Sequence, residues 1–379
     1  MIPRAPARHR RRGIALVMTL TIVLLISMFL AEFIFSTGLD LRGTANVRDG
    51  MQARNLAKSA FRAVQAGLME DELVFMQGMA QLGGLLQLGG VPFEEGVLSE
   101  LTVRPLDALF NINEMRNLQV DKDNDRARRI LFVNTVSAMR IAATEFQEER
   151  GLSEEAILSL YAALFDWVDS DDLSYSGLPG YSGAESDAYF SATPAHAVKN
   201  DALDRLEELR LVRGVVESEL PWSAWAGHFT AVPKSTRNTN YPLTERINVN
   251  LASREELVAF LQRREMDGEL LFAQQTLRDV QKDINAYAAR AEDIAELLAP
   301  ADAPREVYTD ASLASALERI DGINPKIADR VFSTYNEYYH VRLAVLINEI
   351  SARVEGVVHV TRNAGRVGTK FEVLYVTMN

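Results

Sequence analysis

The sequence predicts an α+β protein in which a long N-terminal helix, part of it apolar enough to enter a membrane, packs on an antiparallel sheet with a large mainly α-helical domain inserted. Three observations predict it. An uncharged apolar run opens the chain and passes without a break into an amphipathic helical pattern. Valine- and aromatic-rich segments close the chain with the period of strands. Between the two lie more than two hundred residues of mostly helical pattern.

The apolar run is IALVMTLTIVLLISMFLA, Ile14 to Ala31, and it resumes after Glu32 as FIFSTGL. Its length suffices for a membrane-entering helix. Residues 1 to 13 carry Arg4, Arg8, Arg10, Arg11 and Arg12 and no acid, so the rest of the chain holds −17 against a total of −12. Positive charge before the span keeps the N-terminus in the cytoplasm and sends the bulk across. The acidic remainder repels nucleic acid and anionic lipid. With no cysteine in the chain, disulfides, thiolate catalysis and cysteine-ligated zinc are excluded.

A secretory signal would place a small-residue cleavage site after its apolar region. Here the small residue, Gly13, precedes the run. RRG followed by IALVMTL resembles the site cut by prepilin peptidase, which would leave Ile14 as the mature N-terminus. Most pilins and pseudopilins resembling this pattern carry glutamate at the fifth mature position. Met18 stands there, so this chain lacks a counter-charge for a neighbour's terminal ammonium in an apolar setting. A subunit of that kind is suited to start a filament rather than dock beneath one.

Beyond the membrane the helical register continues: Leu56, Ala60, Val64 and Leu68 recur at spacing four, with Ala53, Ala57, Ala63 and Ala66 beside them, predicting a helix to about Glu72 with one apolar stripe. Gly83, Gly84, Gly89 and Gly90 punctuate the chain, and LTVRPLDALFNIN then reads as a first strand. YYHVRLAVLI, ARVEGVVHVTRN and KFEVLYVTM read as an antiparallel meander, with a turn at Ala364 to Gly368. The expected divisions are a leader at 1–13, the transmembrane part of the helix at 14–39, the rest of the helix and the first strand at 40–112, the insertion at 113–335, and the closing strands at 336–379.

Within the insertion, LFDWVDSDDLSYSGLPGYSGAESDAYF gathers Asp166, Asp169, Asp171, Asp172, Glu185 and Asp187. Like charges so crowded repel unless a cation neutralises them. Calcium suits an all-oxygen site of flexible geometry. An EF-hand is excluded, because Leu173 falls on a ligand position. DKDND at Asp121 to Asp125 fails likewise, with Arg126 for the glycine and Phe132 for the closing glutamate. A solvated acidic loop with helix-capping aspartates is the other reading.

DWVDSDD, GAESDAYF, NDALDRLEELRLVRGV from Asn200 and INVNLASREELVAFL from Ile247, in that order, resemble the general secretion pathway protein K family. The stretch from Glu265 to Pro304 matches it least. The resemblance implies a pilin-like domain with a helical insertion and a bound calcium ion. The ligand candidates are Asp166, Asp169, Asp171, Asp172, Glu185, Asp187 and Asn200. It also implies a place at the tip of the type II secretion pseudopilus, where the subunit initiates or caps the filament that exports folded proteins. The implied partners are minor pseudopilins I and J, prepilin peptidase and the inner-membrane secretion platform.

Two rival functions are set against this. LERIDGINPKIADRVF, Leu317 to Phe332, resembles a helix-hairpin-helix element, the basis of an alternative as a membrane-anchored DNA-binding protein of an uptake system. Asn324 stands where the second glycine of such a hairpin belongs, and only Lys326 and Arg330 lie near, which favours packing over phosphate contact. The block from Asn248 to Leu261 starts comparably and is read as its structural partner. Enzymatic readings lack their accompaniments: His196, His228, His340 and His359 are scattered, and there is no HExxH, GxSxG or glycine-rich phosphate loop. Trp222 and Trp225 are candidates for a groove or, more simply, for core. No catalytic residue is expected.

Overall fold

The computed structural model describes residues 10–87, 89–116, 125–146, 152–190, 195–233, 245–271, 286–301, 306–362 and 369–378. The expected turn at 364–368, most of DKDND and much of the stretch from 265 to 304 lie outside them.

Helix α1, Arg10–Glu70, runs for 61 residues without a proline, a length of about 90 Å at the α-helical rise. Its first part is fully exposed in the isolated chain, with Leu16 through Phe35 presenting apolar side chains all round, as a lipid-facing helix does. The hydroxyls there are satisfied internally: Thr21 donates to the Val17 carbonyl and Ser27 to that of Val23, each at 2.8 Å. The outer part is amphipathic, and its stripe of Ala53, Leu56, Ala57, Ala60, Phe61, Val64 and Leu68 is buried. At Asp71 the chain turns into α2, Glu72–Gln87, and the Asp71 carboxylate accepts from the Val74 amide at 3.1 Å. Gly67 is required at this corner, because a methyl group there would overlap the Phe75 ring.

Five antiparallel strands cover the stripe: β1 (Val91–Phe93), β2 (Gly96–Pro105), β7 (Tyr338–Ile347), β8 (Ile350–Arg362) and β9 (Thr369–Met378), side by side in that order. The strand period of two sorts β7 cleanly. Tyr339, Val341, Leu343, Val345 and Ile347 face α1, whereas His340 and Arg342 face away. The two-residue turn between β7 and β8 puts Asn348 at φ 53°, and its amide donates to buried Asp49 of α1 at 2.6 Å, tying hairpin to helix.

The chain leaves this sheet after Pro105 and re-enters at Tyr338, at the paired ends of β2 and β7. Phe110–Asn111, read from sequence as part of the first strand, form instead a separate short strand, β3, which pairs in parallel with β4, Phe229–Thr230. Pro105 has no N–H with which to extend the ladder, and Leu106 is held to the Tyr338 carbonyl at 2.9 Å. The intervening residues form two cores. The first contains α3 (Asp125–Phe146), α4 (Glu154–Val168), α5 (Ser186–Tyr189) and α6 (Trp222–His228). The second contains β5 (Ile247–Asn248), α7 (Arg254–Leu271), α8 (Ala291–Leu298), α9 (Asp310–Leu317) and β6 (Phe332–Ser333).

Both cores start with the same knot. In Asn111-Ile-Asn113 and Asn248-Val-Asn250 the first side-chain oxygen accepts the amide of the second asparagine, at 3.2 and 2.9 Å. The second asparagine then clamps a distant backbone through both ends of its amide. Asn113 accepts from the Leu203 amide at 2.7 Å and donates to its carbonyl at 3.0 Å. Asn250 accepts from the Tyr308 amide at 2.7 Å and donates to its carbonyl at 2.9 Å. All four asparagines are buried, where only fully satisfied amides are tolerated.

Two carboxylates fasten the stem. Asp107 accepts from the Glu337 and Tyr338 amides at 3.0 Å each. Glu72, only 3% exposed, accepts from the Asn336 amide at 3.2 Å, the Asn336 side chain at 2.7 Å and the Asn248 side chain at 3.1 Å. Glu72→Ala strips three buried donors of their acceptor and is expected to cost about 3 kcal/mol, with Glu72→Gln costing less. Chemical denaturation of both variants checks this, and wild-type stability of the alanine variant would refute it.

Candidate functional site

The acidic residues follow from how α4 ends. Ser153 caps its N-terminus, accepting the Ala156 amide at 3.2 Å, and Ile157, Leu160, Tyr161 and Leu164 turn its apolar face into the first core. The last turn carries Asp166, no basic residue occupies it, and Asp169 is its C-cap. Carboxylates at a helix C-terminus oppose the helix dipole, so the corner at the end of this helix is an unfavourable place for two acids.

The loop after α4 folds back onto that corner. The Tyr175 ring lies 4.5 Å from that of Phe165 and 5.8 Å from that of Tyr161, and the Tyr175 amide donates to Asp166 Oδ1 at 2.9 Å. Gly183 donates to the Tyr175 carbonyl at 3.3 Å. Its lack of a side chain is needed, because a Cβ there would collide with the Asp166 carboxylate. Glu185 follows as the N-cap of α5. That helix is held by buried Tyr189, packed edge-on against Trp167 at 5.3 Å.

Carboxylate oxygens of Asp166, Asp169 and Glu185 thereby lie within 4.8 Å of one another, all three in buried or nearly buried positions. Burial, followed by the charge of Asp169, pushes the Asp166 carboxyl up to about 7 despite the opposing hydrogen bonds from Tyr175 and Ala184. Burial and then the charges of Asp166, Asp169, Asp172 and Asp171 push Glu185 up to about 7 as well. Asp166 Oδ2, both Glu185 oxygens and Asn200 Oδ1 are buried and accept no hydrogen bond among the described residues. Such a set of converging oxygens fits a hard cation.

The remaining candidates divide. Asp172 Oδ1 accepts from the Asn200 side chain at 2.9 Å, and Asn200 sits at φ 50°, which aims it at this loop. Asp171 accepts the Leu173 amide at 2.9 Å in an exposed local turn. Asp187 is exposed in the first turn of α5 and is not brought into the group of three. Gly13 and Ile14 lie in the first turns of α1. What the sequence reading missed is the part played by Gly183 and Tyr175, whose only signal was a glycine and an aromatic residue within an acidic loop.

The segments flanking the hairpin from Leu317 to Phe332 are packed into the second core, while Asp321, Gly322 and Lys326 at its tip are exposed. Ala316, Leu317, Ala328, Val331 and Phe332 belong to the second core, and Tyr287 donates to the Asn324 carbonyl at 2.7 Å. Its neighbour is the block beginning at Ile247, paired in parallel through Ile247 with Phe332. Trp225 is core at 1% exposure, whereas Trp222 lines a surface cavity.

Comparison with known proteins now adds to the geometry. Residues 108–221, which contain the whole acidic cluster, match the family model for type II secretion system protein K. A type II secretion system protein K from Klebsiella pneumoniae is 28% identical over 213 residues, 55% of this chain and 59% of that protein. One from Pseudomonas aeruginosa is 26% identical over 263 residues, 67% of this chain and 69% of that protein. The match thus spans about three-fifths of the Klebsiella protein. The crystal structure of a GspK-GspI-GspJ complex from the type 2 secretion system of enterotoxigenic Escherichia coli contains a chain that aligns with 85% of this one, and 99% of itself, at 16% identity and a TM-score of 0.45. The resemblance to the protein K family read from the sequence is borne out.

Raised carboxyl pKa values fix the sign of a pH effect. Between about pH 4 and 7 the metal-free folded chain holds more protons at Asp166 and Glu185 than the unfolded chain does, so its stability falls as pH rises through that window. Chelator-treated protein is expected to unfold at a lower temperature at pH 7.5 than at pH 5.5, and Asp166→Asn should remove much of the difference. A slope unchanged in that variant would contradict the assignment.

Proposed function

We propose that this chain, a relative of type II secretion system protein K, is a minor pseudopilin of a type II secretion machine, anchored in the inner membrane with its N-terminus cytoplasmic and its bulk periplasmic. The observation that carries the reading is α1 itself, a single helix that is lipid-compatible in its first part and stapled to an antiparallel sheet in its second. That continuity allows one subunit to be extracted from the bilayer and inserted into a filament without refolding.

Met18 at the fifth position after Gly13 supports a place at the tip, initiating or capping the filament that exports folded proteins across the outer membrane. A subunit without a carboxylate there gains no counter-ion contact from a neighbour above it. The partners that the family likeness supports are minor pseudopilins I and J, with prepilin peptidase acting on the leader and the inner-membrane platform driving assembly.

The acidic corner is read as a calcium site. Asp166, Asp169 and Glu185 would hold the ion, with Asn200 and Asp172 close by. Its charge would offset the carboxylates at the end of α4 and pin the loop from 170 to 185 to the helix. The ion's part is structural, and no reaction is proposed.

Two experiments test these readings. Co-expressed with a prepilin peptidase, the wild type should give a mature chain beginning at Ile14 by N-terminal sequencing and intact mass. Gly13→Ala should stay uncut, and normal processing of that variant would refute the leader assignment. Calcium is expected to raise the thermal unfolding midpoint of the wild type. In a variant combining Asp169→Ala with Asp171→Ala, or in Gly183→Ala, that rise should vanish, and an unchanged calcium response would remove this loop as the site.

A further inference from the structure

On the sheet face turned away from α1, pairing across four strands aligns Arg104, His340, Val357 and Tyr375 in one row. Over this row stand the 3-10 turn Leu206–Leu211 and helix α6. Sheet and insertion together enclose a cavity of about 410 Å³ whose walls include Leu106, Leu206, Trp222 and Phe229.

Most charged side chains described on this face lie beside a counter-charge. Arg342 is bound to Glu100 at 2.8 Å, Arg353 reaches the same carboxylate at 3.3 Å, and His340 Nε2 lies 2.9 Å from Glu355. Arg104 alone on its row has no acid. It donates to the Gly227 carbonyl at 3.1 Å and has no carboxylate within ion-pair distance among the described residues. Burial lowers its pKa, yet a guanidinium stays protonated in any protein. The result is a half-buried cation with five donors, one of them used among the described residues, at the wall of a cavity that combines apolar and polar side chains. Two more guanidinium groups strengthen the local field: Arg210 lies 4.4 Å over the Trp222 ring and Arg205 lies 5.1 Å over the Tyr375 ring. Two acids also line the cavity: Glu207 on the facing wall, exposed at the rim, and Glu355 on the sheet, paired with His340.

We propose that this cavity binds the C-terminal carboxylate of a partner polypeptide whose last residue is apolar, the carboxylate on Arg104 and the side chain against Trp222. The chemistry favours that occupant over an internal acidic residue. A chain terminus places its carboxylate directly beside its last side chain, so one guanidinium and one apolar wall are satisfied at once. The volume suits one or two residues. A half-buried arginine is also the natural fork for a planar carboxylate.

The test uses the full chain in detergent micelles and the peptide acetyl-Ala-Ala-Phe, as the free acid and as the C-terminal amide. Trp222 reports binding by fluorescence, since Trp167 and Trp225 are buried away from solvent, and Trp222→Phe controls for them. The free acid should bind saturably and about tenfold or more tightly than the amide. Arg104→Gln should reduce the acid to the affinity of the amide while leaving the unfolding midpoint unchanged. Equal binding of acid and amide by the wild type, or no saturable binding of the acid, overturns the proposal even if the variant does not fold. Acid affinity that survives Arg104→Gln also overturns it.

Discussion

The Glu72 carboxylate reaches across 176 residues to Asn248 and across 264 to Asn336, and the arrangement of the molecule depends on it. It sits at the first residue of α2, where the long helix has just ended. Its partners lie at the start of the second helical core and at the point where the chain returns to the sheet. One buried charge therefore fixes three pieces of backbone that have no common local structure. Buried charge is costly unless every lone pair is used, and here the neighbouring donors are supplied by asparagine side chains and a main-chain amide. With Asp107 bound to the amides of Glu337 and Tyr338, the stem of the insertion is held on both sides.

The acidic corner inverts this logic. At the stem, carboxylates are buried together with donors; at the end of α4 they are buried together with one another. Tyr175 and Ala184 give Asp166 two hydrogen bonds, too few for a group facing Asp169 and Glu185. Aromatic contacts of Tyr175 with Phe165 and of Trp167 with Tyr189 oppose an outward movement of the loop that would relieve the repulsion. A divalent cation in that corner would convert the least favourable part of the insertion into a cross-link between α4 and α5.

A second consequence of the stem is the cavity around Arg104. The sheet face opposite α1 would be open to water in a domain without an insertion. Here the 3-10 turn Leu206–Leu211 and helix α6 from the first core lie over it, so a strand residue that would have been an ordinary exposed arginine is half desolvated. The long helix α1 divides its labour along its length: apolar residues to Phe35 stay exposed in the isolated chain, and the stripe from Ala53 to Leu68 closes the sheet core.

Patterns of short period were legible from residue order alone. The membrane run, the stripe at spacing four and the closing strands are set by helix and strand geometry, which acts within a few residues. The acidic residues from Asp166 to Glu185 were legible as a cluster for the same reason, being close in sequence. Long-range partners were not legible. Nothing local distinguishes Glu72 from the solvated acids beside it, and Phe110 and Asn111 read as more of the first strand until Phe229 and Thr230 came alongside. The two Asn-x-Asn knots were present as letters, but their function lies in the backbones of Leu203 and Tyr308 that they clamp. Gly183 and Arg104 acquire meaning only from what tertiary packing sets against them, a carboxylate in one case and an apolar wall in the other. Sequence by itself determined the long apolar run, the amphipathic stripe and the closing strands, because those follow from local periodicity. Tertiary structure alone decided which polar groups are buried together, because desolvation depends on neighbours that chain order does not specify.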